Sequence, residues 1–218
     1  MRFSYSKISC FKQCPYKFKL IYIDKLQKPI TNEALIKGSK IHELLENFES
    51  LNKSAQYANI VLDFANSELG RDILSKASTR EWCVKFDENL NADDSLTQKT
   101  AKLIGYIDRI NATENGIELI DFKTGKYKDP RWQDFEQLTI YSIYMFSKYP
   151  QLNDLKLRYV YVEHSKENAK IISRNEADSE KSILMKTLMG IENCKEFHKK
   201  PQKLCDWCEF KGICKPSL

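Results

Sequence analysis

The chain of 218 residues lacks several features that define common protein classes. It has no apolar run near the ~20 residues that a membrane-spanning helix needs, so we expect no membrane partner. It has no G-x-x-x-x-G-K-[ST] sequence, which excludes a built-in P-loop motor. Internal repeats and Gly/Ser-rich linkers are also absent. A hydrophobic content of 42% suffices for one sizeable core, so we predict a single domain over residues 1–218.

A secretory signal peptide is a further missing feature. Met1-Arg2-Phe3-Ser4 leads directly into a polar segment that we predict to be helical. We therefore expect a cytoplasmic protein. Thiols stay reduced in that compartment, so the seven cysteines are not expected to form disulfides.

The excess of positive charge lies at the two ends of the chain, and the segment between them is net negative. The net charge is +5, yet residues 1–28 and 195–218 together carry nine net positive charges. The basic ends predict a phosphate-contacting surface, with Lys17 and Lys19 as candidate contacts. The aromatic residues that could stack there on unpaired bases are Tyr16, Phe18, Tyr22 and Trp207. A solvated basic face over ordinary core aromatics is the alternative.

The most informative segment runs from Gly105 to Lys123 and reads GYIDRINATENGIELIDFK. Asn115-Gly116 separates two alternating runs in this segment. Both residues tolerate the positive φ of a two-residue turn, so the pattern predicts a hairpin of two paired strands.

Side-chain alternation places candidate metal ligands on this hairpin. Asp121 and Lys123 should share one face, and Asp108 can join them from the partner strand. Two carboxylates and the carbonyl of Phe122 would form an oxygen-rich pocket for Mg²⁺ or Mn²⁺. Lys123 could orient or deprotonate an attacking water. A partly buried Asp/Lys ion pair on an edge hairpin is the alternative.

Periodicity predicts an α/β protein. Apolar residues at helical spacing, such as Ile41, Leu44 and Leu45, predict helices, and alternating apolar runs predict strands. The predicted helices lie near residues 6–14, 31–49, 55–69, 131–149 and 176–194. The predicted strands lie near residues 80–87, 101–111, 116–123, 155–163 and 169–174.

Five short segments, in a fixed order along the chain, resemble motifs of one protein family. They are FKQCP at 11–15, GSKIHELLE at 38–46, GYIDR at 105–109, DFKTG at 121–125 and QLTIY at 137–141. Together they resemble the PD-(D/E)XK nucleases, in particular the RecB/AddB-like branch. The chain looks most similar to small stand-alone members associated with CRISPR adaptation and with viruses, which implies a bacterial, archaeal or viral origin.

The resemblance implies a restriction-endonuclease-like fold, in which helices flank a mixed central sheet. It implies a metal-dependent DNA nuclease, an exonuclease acting on single-stranded DNA or DNA ends. The implied catalytic residues are His42, Asp108, Asp121 and Lys123, with His42 as a further metal ligand. Gln137 and Tyr141 would face DNA. Without a motor of its own, the protein would depend on a separate helicase, recombination or CRISPR-adaptation partner for unwinding.

The cysteines near the end of the chain follow a C-x₂-C-x₅-C pattern. Four thiolates can hold a [4Fe–4S] cluster or a structural zinc, and spacing alone does not separate the two. The resemblance implies a cluster, bound by Cys14, Cys205, Cys208 and Cys214. Residues 1–28 and 195–218 would then form a helical cluster lobe, and about 31–194 the catalytic core.

Several alternatives remain open. Zinc could recruit His198 instead of a cysteine, and Cys10 could replace Cys14. Cys10, Cys83 and Cys194 have no ligand spacing of their own, and each is otherwise predicted to be a small buried residue. Glu81 could enter the site or face solvent. The chain could also be a catalytically silent DNA-binding scaffold. It could equally be an RNA-processing nuclease, because nothing in the sequence reports on recognition of a 2′-hydroxyl.

Overall fold

A five-stranded sheet forms the centre of the computed structural model, which describes residues 1–26, 33–114 and 116–214. The strands lie in the order β1-β2-β3-β4-β5. β3 and β4 pair in parallel, and the other neighbours pair antiparallel. The strands are β1 (Ser78–Phe86), β2 (Leu103–Thr113), β3 (Gly116–Lys123), β4 (Asp154–Tyr161) and β5 (Lys166–Ser173).

Helices flank this sheet, which confirms the predicted α/β core. The longer helices are α1 (Tyr5–Gln13), α3 (Glu33–Glu46), α4 (Ala58–Asn66), α5 (Glu68–Leu74), α6 (Glu136–Lys148) and α7 (Arg174–Glu192). Two short helices, α2 (Pro15–Phe18) and α8 (Lys211–Cys214), lie near the chain ends. α6 connects β3 to β4, as a parallel strand pair requires.

Alternation along β3 divides the core into two clusters. Leu119 packs in the cluster that contains Tyr144 of α6. Ile120 and Phe122 pack in the cluster that contains Phe64 of α4, and the rings of Phe64 and Phe122 meet edge to face. Asp121 and Lys123 therefore project away from the second cluster, as predicted.

Two helix predictions are wrong in their boundaries. The helix predicted near 55–69 is interrupted at Ser67, whose extended backbone and hydroxyl cap α5 by accepting from the Gly70 N–H. The helix predicted near 131–149 begins only at Glu136, because Pro130–Trp132 forms a separate 3₁₀ turn. Residues 31 and 32 of a third predicted helix lie outside the described residues.

The connection between β2 and β3 is shifted from its predicted position. The predicted antiparallel pairing is confirmed, but Thr113 pairs with Gly116. Gly116, with a φ of +142°, therefore opens β3 instead of lying within the turn. Asn115 lies outside the described residues.

Within residues 1–26, 33–114 and 116–214, each helix is too short or too polar to cross a membrane.

Candidate active site

Asp108 lies where the pairing between β2 and β3 stops. The last paired residues at this end are Arg109 and Ile120. Beyond them, the backbone N–H of Phe122 donates to Asp108 Oδ2 at 2.7 Å. A side-chain carboxylate thus takes the place of a backbone acceptor at the open end of the hairpin.

Glu81 lies opposite Asp108 in a strained backbone conformation. The residues before and after Glu81 pair regularly with β2, but Glu81 itself does not. Its φ is +46°, a left-handed value that is uncommon in residues other than glycine and costs about 1–3 kcal/mol. Because alternation along a strand presumes regular backbone, it could not decide where this side chain points.

His42 on α3 completes a group of three potential metal ligands. Ligand atoms of His42, Glu81 and Asp108 all lie within 4.8 Å of one another. His42 Nδ1 is 3.3 Å from Asp108 Oδ2. Burial lowers the pKa of His42, although the charge of Asp121 opposes this shift. The neutral imidazole, which is the metal-binding form, is therefore favoured at neutral pH.

Lys123 is held on three sides beside Asp121. Its Nζ lies 2.6 Å from Asp121 Oδ2, 3.3 Å from Gln137 Oε1 and 4.7 Å from the centre of the Tyr159 ring. Tyr159 lies opposite Asp121 in the parallel register of β3 and β4. Nothing in the sequence pointed to Tyr159, because strand order and register were needed to bring it here.

Tyr141 contributes to the site from within the core. Its ring packs so closely on β2 that a Cβ on Gly105 would lie 2.5 Å from it. Its hydroxyl is 3.4 Å from Gln137 Nε2, and Tyr141 is only 4% exposed. The structure thus brings Gln137 and Tyr141 together, and a DNA contact by either residue stays a prediction.

Burial and neighbouring negative charge raise the pKa values of two carboxyl groups of the site, those of Asp108 and Glu81. Burial raises the pKa of Asp108 well above its ordinary value, and the charge of Asp121 adds to this shift. Burial also raises the pKa of Glu81, with the charges of Glu46 and Asp121 contributing. Protonation or a bound cation would relieve this accumulation of negative charge.

This charge distribution fits a divalent cation. Asp121 Oδ2 is inaccessible to water, and the Lys123 ammonium lies 2.6 Å from it. A buried acidic oxygen that already lies against a cation is a natural ligand for Mg²⁺ or Mn²⁺. His42, Glu81, Asp108 and Asp121 are the side chains that would hold the ion. The carbonyl of Phe122 stays a predicted ligand.

Two substitutions at Glu81 separate backbone strain from metal binding. Glu81→Gly and Glu81→Ala both remove the carboxylate, so both should lower Mn²⁺ affinity similarly, by about tenfold or more. Glycine tolerates the positive φ, so the free energy of unfolding should be about 1 kcal/mol higher for the glycine variant than for the alanine variant. Calorimetric titration and urea unfolding measure the two effects. Equal stabilities would contradict the strain, and unchanged affinities would remove Glu81 from the site.

The four cysteines predicted to bind a cluster line one cavity of about 180 Å³. They are Cys14, Cys205, Cys208 and Cys214. Within the described residues, no three of these sulfurs lie within 4.8 Å of one another. Burial raises the pKa of Cys214, and charge on the other three thiols would raise it further.

The two alternative ligands lie outside this cavity. Cys10 packs against the main core, and burial raises its pKa to about 11. His198 has an exposed side chain that lies 3.3 Å from Glu196. Neither residue lines the cavity, whereas Cys14 does.

The chain ends meet around the cysteine cavity. The Tyr16 N–H donates to the carbonyl of His198, and Gln202 Nε2 donates to the carbonyl of Gln13. Phe197 also contacts the rings of the first helices, including that of Phe11. These contacts join the two basic segments into one surface.

Both predicted phosphate contacts on this surface have carboxylate partners. Lys17 Nζ lies 3.0 Å from Glu209, and Lys19 Nζ lies 2.6 Å from Asp24. The Lys17 side chain is 21% exposed and that of Lys19 is 38% exposed. A nucleic-acid phosphate would have to compete with these carboxylates for each lysine.

Nearly the whole chain matches one protein family, the PD-(D/E)XK nuclease superfamily, over residues 2–215. No curated protein matches it in sequence. A solved structure of a candidate exonuclease from Eubacterium rectale is similar in fold, with 12% identity and a TM-score of 0.56 over 95% of this chain and 93% of the other. The structure of SSO0001 has 15% identity and a TM-score of 0.49 over 98% of this chain and 85% of its own.

At such identities, a solved structure informs on the fold alone, whereas the family match covers the sequence itself. The matched residues include both hairpin aspartates, Lys123 and the helix that carries His42. The chain belongs to the PD-(D/E)XK nuclease superfamily.

Proposed function

We propose that the protein is a Mg²⁺- or Mn²⁺-dependent deoxyribonuclease that acts as an exonuclease on single-stranded DNA or on DNA ends. The observation that carries this proposal is the convergence of His42, Asp108, Asp121 and Lys123 at the open end of one hairpin. Asp121 is only 4% exposed, and a carboxylate buried in this way is a natural ligand for a divalent ion. A protein that only binds DNA has no chemical need for this set.

The side chains divide the work of phosphodiester hydrolysis. A bound divalent ion would lower the pKa of a water and offset the charge of the phosphate. Lys123 Nζ would contact a phosphate oxygen and stabilise the additional negative charge of the transition state. Asp121 and Gln137 fix the ammonium in advance, so that little reorganisation is needed when the phosphate arrives.

We further propose a [4Fe–4S] cluster, as in the RecB/AddB-like branch, on the four cysteines of the cavity. All four line the same space. Four thiolates around one zinc, with Zn–S bonds of about 2.3 Å, would lie ~3.8 Å apart. The preference for the cluster over zinc rests on the resemblance to the RecB/AddB-like branch.

Contacts between the two ends of the chain support a single domain over residues 1–218. In this proposal, residues 1–28 and 195–218 form the cluster lobe and about 31–194 form the catalytic core. Hydrogen bonds from Tyr16 and Gln202 hold the two ends of the lobe together. Residues 27–28 and 215–218 lie outside the described residues. A separate helicase, recombination or CRISPR-adaptation protein would supply unwinding.

One assay tests the activity. End-labelled single- and double-stranded DNA and RNA of one sequence are incubated with the protein in Mg²⁺, in Mn²⁺ and in EDTA. We expect shortening of single-stranded DNA that depends on the metal. Cleavage confined to RNA would favour an RNA-processing nuclease. Binding without cleavage in either metal would favour a scaffold.

The cluster lobe should determine the salt dependence of binding. Changing Lys17 and Lys19 together to Glu should flatten the plot of log affinity against log salt by about 1.4, which is two single-strand phosphate contacts. The matched control is Asp24→Asn with Glu209→Gln, which releases the same lysines and should strengthen binding. A slope that does not change in the lysine variant would show that the strand passes elsewhere.

A further inference from the structure

Trp132 is exposed on a loop whose two ends meet at the catalytic pocket. Residues 124–135 connect β3 to α6. Lys123, which precedes this loop, and Gln137, the second residue of α6, are joined by a hydrogen bond of 3.3 Å. Trp132 is 72% exposed. A tryptophan ring that could bury roughly 150–250 Å² is therefore left in solvent on the loop that leads from β3 to α6 beside the site.

One buried side chain, Asn168 of β5, anchors the loop on both sides of Trp132. Asn168 Nδ2 donates to the carbonyl of Lys128 at 2.8 Å and lies 3.3 Å from Gln133 Oε1. Asn168 Oδ1 accepts from the hydroxyl of Tyr127 at 3.0 Å. Asn168 is only 4% exposed, so these bonds are shielded from water.

The tip of the loop is fixed by its own hydrogen bonds. Asp129 Oδ1 accepts from the backbone N–H of Arg131 at 2.9 Å and from Arg131 Nε at 3.0 Å. The Trp132 N–H donates to the carbonyl of Asp129 at 2.9 Å. The backbone that carries the exposed ring is thus ordered before any ligand binds, which reduces the entropy lost on binding.

We infer that Trp132 is a stacking platform for an unpaired base of single-stranded nucleic acid, close to the phosphate that is cleaved. The inference rests on the proposed nuclease function, because that function brings a strand to Lys123. Exposed Lys126 and Lys128 on the same loop can contact the flanking phosphates. Stacking on a ring face accepts any base, so Trp132 would select unpaired strands rather than a sequence.

Equilibrium binding tests this role in an Asp121→Asn background, where the substrate stays intact. The probes are a labelled oligothymidylate and a blunt duplex. Trp132→Ala should weaken oligothymidylate binding by about 5- to 150-fold, the range expected for one stacked base. Trp132→Phe should retain most of the affinity, and duplex binding should change much less. Ile171→Ala, which removes another exposed side chain, on β5, is the control and should change neither.

Abasic oligonucleotides locate the stacked base. A single abasic residue is placed at successive positions, and each oligonucleotide is bound to the parent protein and to Trp132→Ala. At one position the two losses should fail to add, because both remove the same contact. Additive losses at every position, or unchanged affinity in Trp132→Ala, would overturn the stacking role. The exposed ring would then be assigned to a contact with another protein.

Cleavage by the chain with Asp121 intact is measured in parallel. Cleavage with no effect of Trp132→Ala on binding overturns only the stacking role. Binding that depends on Trp132 without any cleavage overturns the nuclease and supports the stacking role. A chain that neither binds nor cleaves overturns both.

Discussion

Asp108→Asn and Asp121→Asn should each reduce the cleavage rate by about three orders of magnitude or more. A bound metal supplies several kcal/mol of transition-state stabilisation, and each 1.36 kcal/mol corresponds to about tenfold in rate. Asparagine has nearly the shape of aspartate, and its oxygen can still accept the Phe122 N–H that Asp108 now binds. The change therefore removes charge with little loss of structure. Single-turnover cleavage of labelled DNA measures the fall in the cleavage rate.

Thermal unfolding gives an independent measurement on the same variants. Burial and the charge of Asp121 raise the pKa of Asp108, so the metal-free protein holds unfavourable negative charge. Neutralising Asp108 should leave the metal-free protein at least as stable as before, whereas neutralising Asp121 also removes its ion pair with Lys123. Mn²⁺ should raise the thermal unfolding midpoint of the unaltered protein, because it binds only the folded state. The same addition should raise the unfolding midpoints of the two variants much less. Full activity in Asp121→Asn would remove the central claim.

Lys123→Ala separates charge stabilisation from metal binding. It should also lose cleavage, yet Mn²⁺ should still raise its unfolding midpoint because the carboxylates remain. The control is Asp178→Asn on the exposed side of α7, which should change neither activity nor metal binding. A Lys123→Ala protein that no longer responds to Mn²⁺ would make Lys123 a structural residue of the metal site.

Cys14→Ser and Cys208→Ser should have the largest effects on stability. Protein purified without oxygen should be brown and contain about four irons and four acid-labile sulfides per chain. The cluster would tie residue 14 to residues 205–214. Closing a loop of that length restricts the unfolded chain, so its loss should lower the free energy of unfolding by up to about 5 kcal/mol. Absorbance, iron analysis and chemical unfolding measure the three effects.

Cleavage by these cysteine variants should also fall, because the loosened lobe no longer places the strand correctly. Cys83→Ser on β1 is the matched control and should leave colour, iron content and stability unchanged. Colourless protein with one zinc per chain would overturn the cluster while sparing the nuclease. A metal-free Cys208→Ser protein of full stability would show that the cysteines do not link the two ends.

The sequence alone predicted the features that depend on local periodicity. Alternation of two residues placed Asp121 and Lys123 on one face of β3 and put Phe122 in the core with Ile120, as the structure has them. The five strands and most helices were predicted for the same reason. Periodicity does not reveal the break at Ser67, because the apolar spacing continues across that residue. Only the capping hydrogen bond of Ser67 interrupts the helix.

Tertiary structure decided how these local elements meet. The alternation of β2 changes phase near Asp108, since Ile107 and Ile110 pack in one cluster although they are three residues apart. The positive φ of Glu81 and the register that brings Tyr159 to Lys123 likewise depend on neighbouring strands. Periodicity reports which side of an element is apolar, whereas the catalytic pocket lies where pairing and alternation are interrupted. That is why the sequence indicated the ligands while their arrangement required the fold.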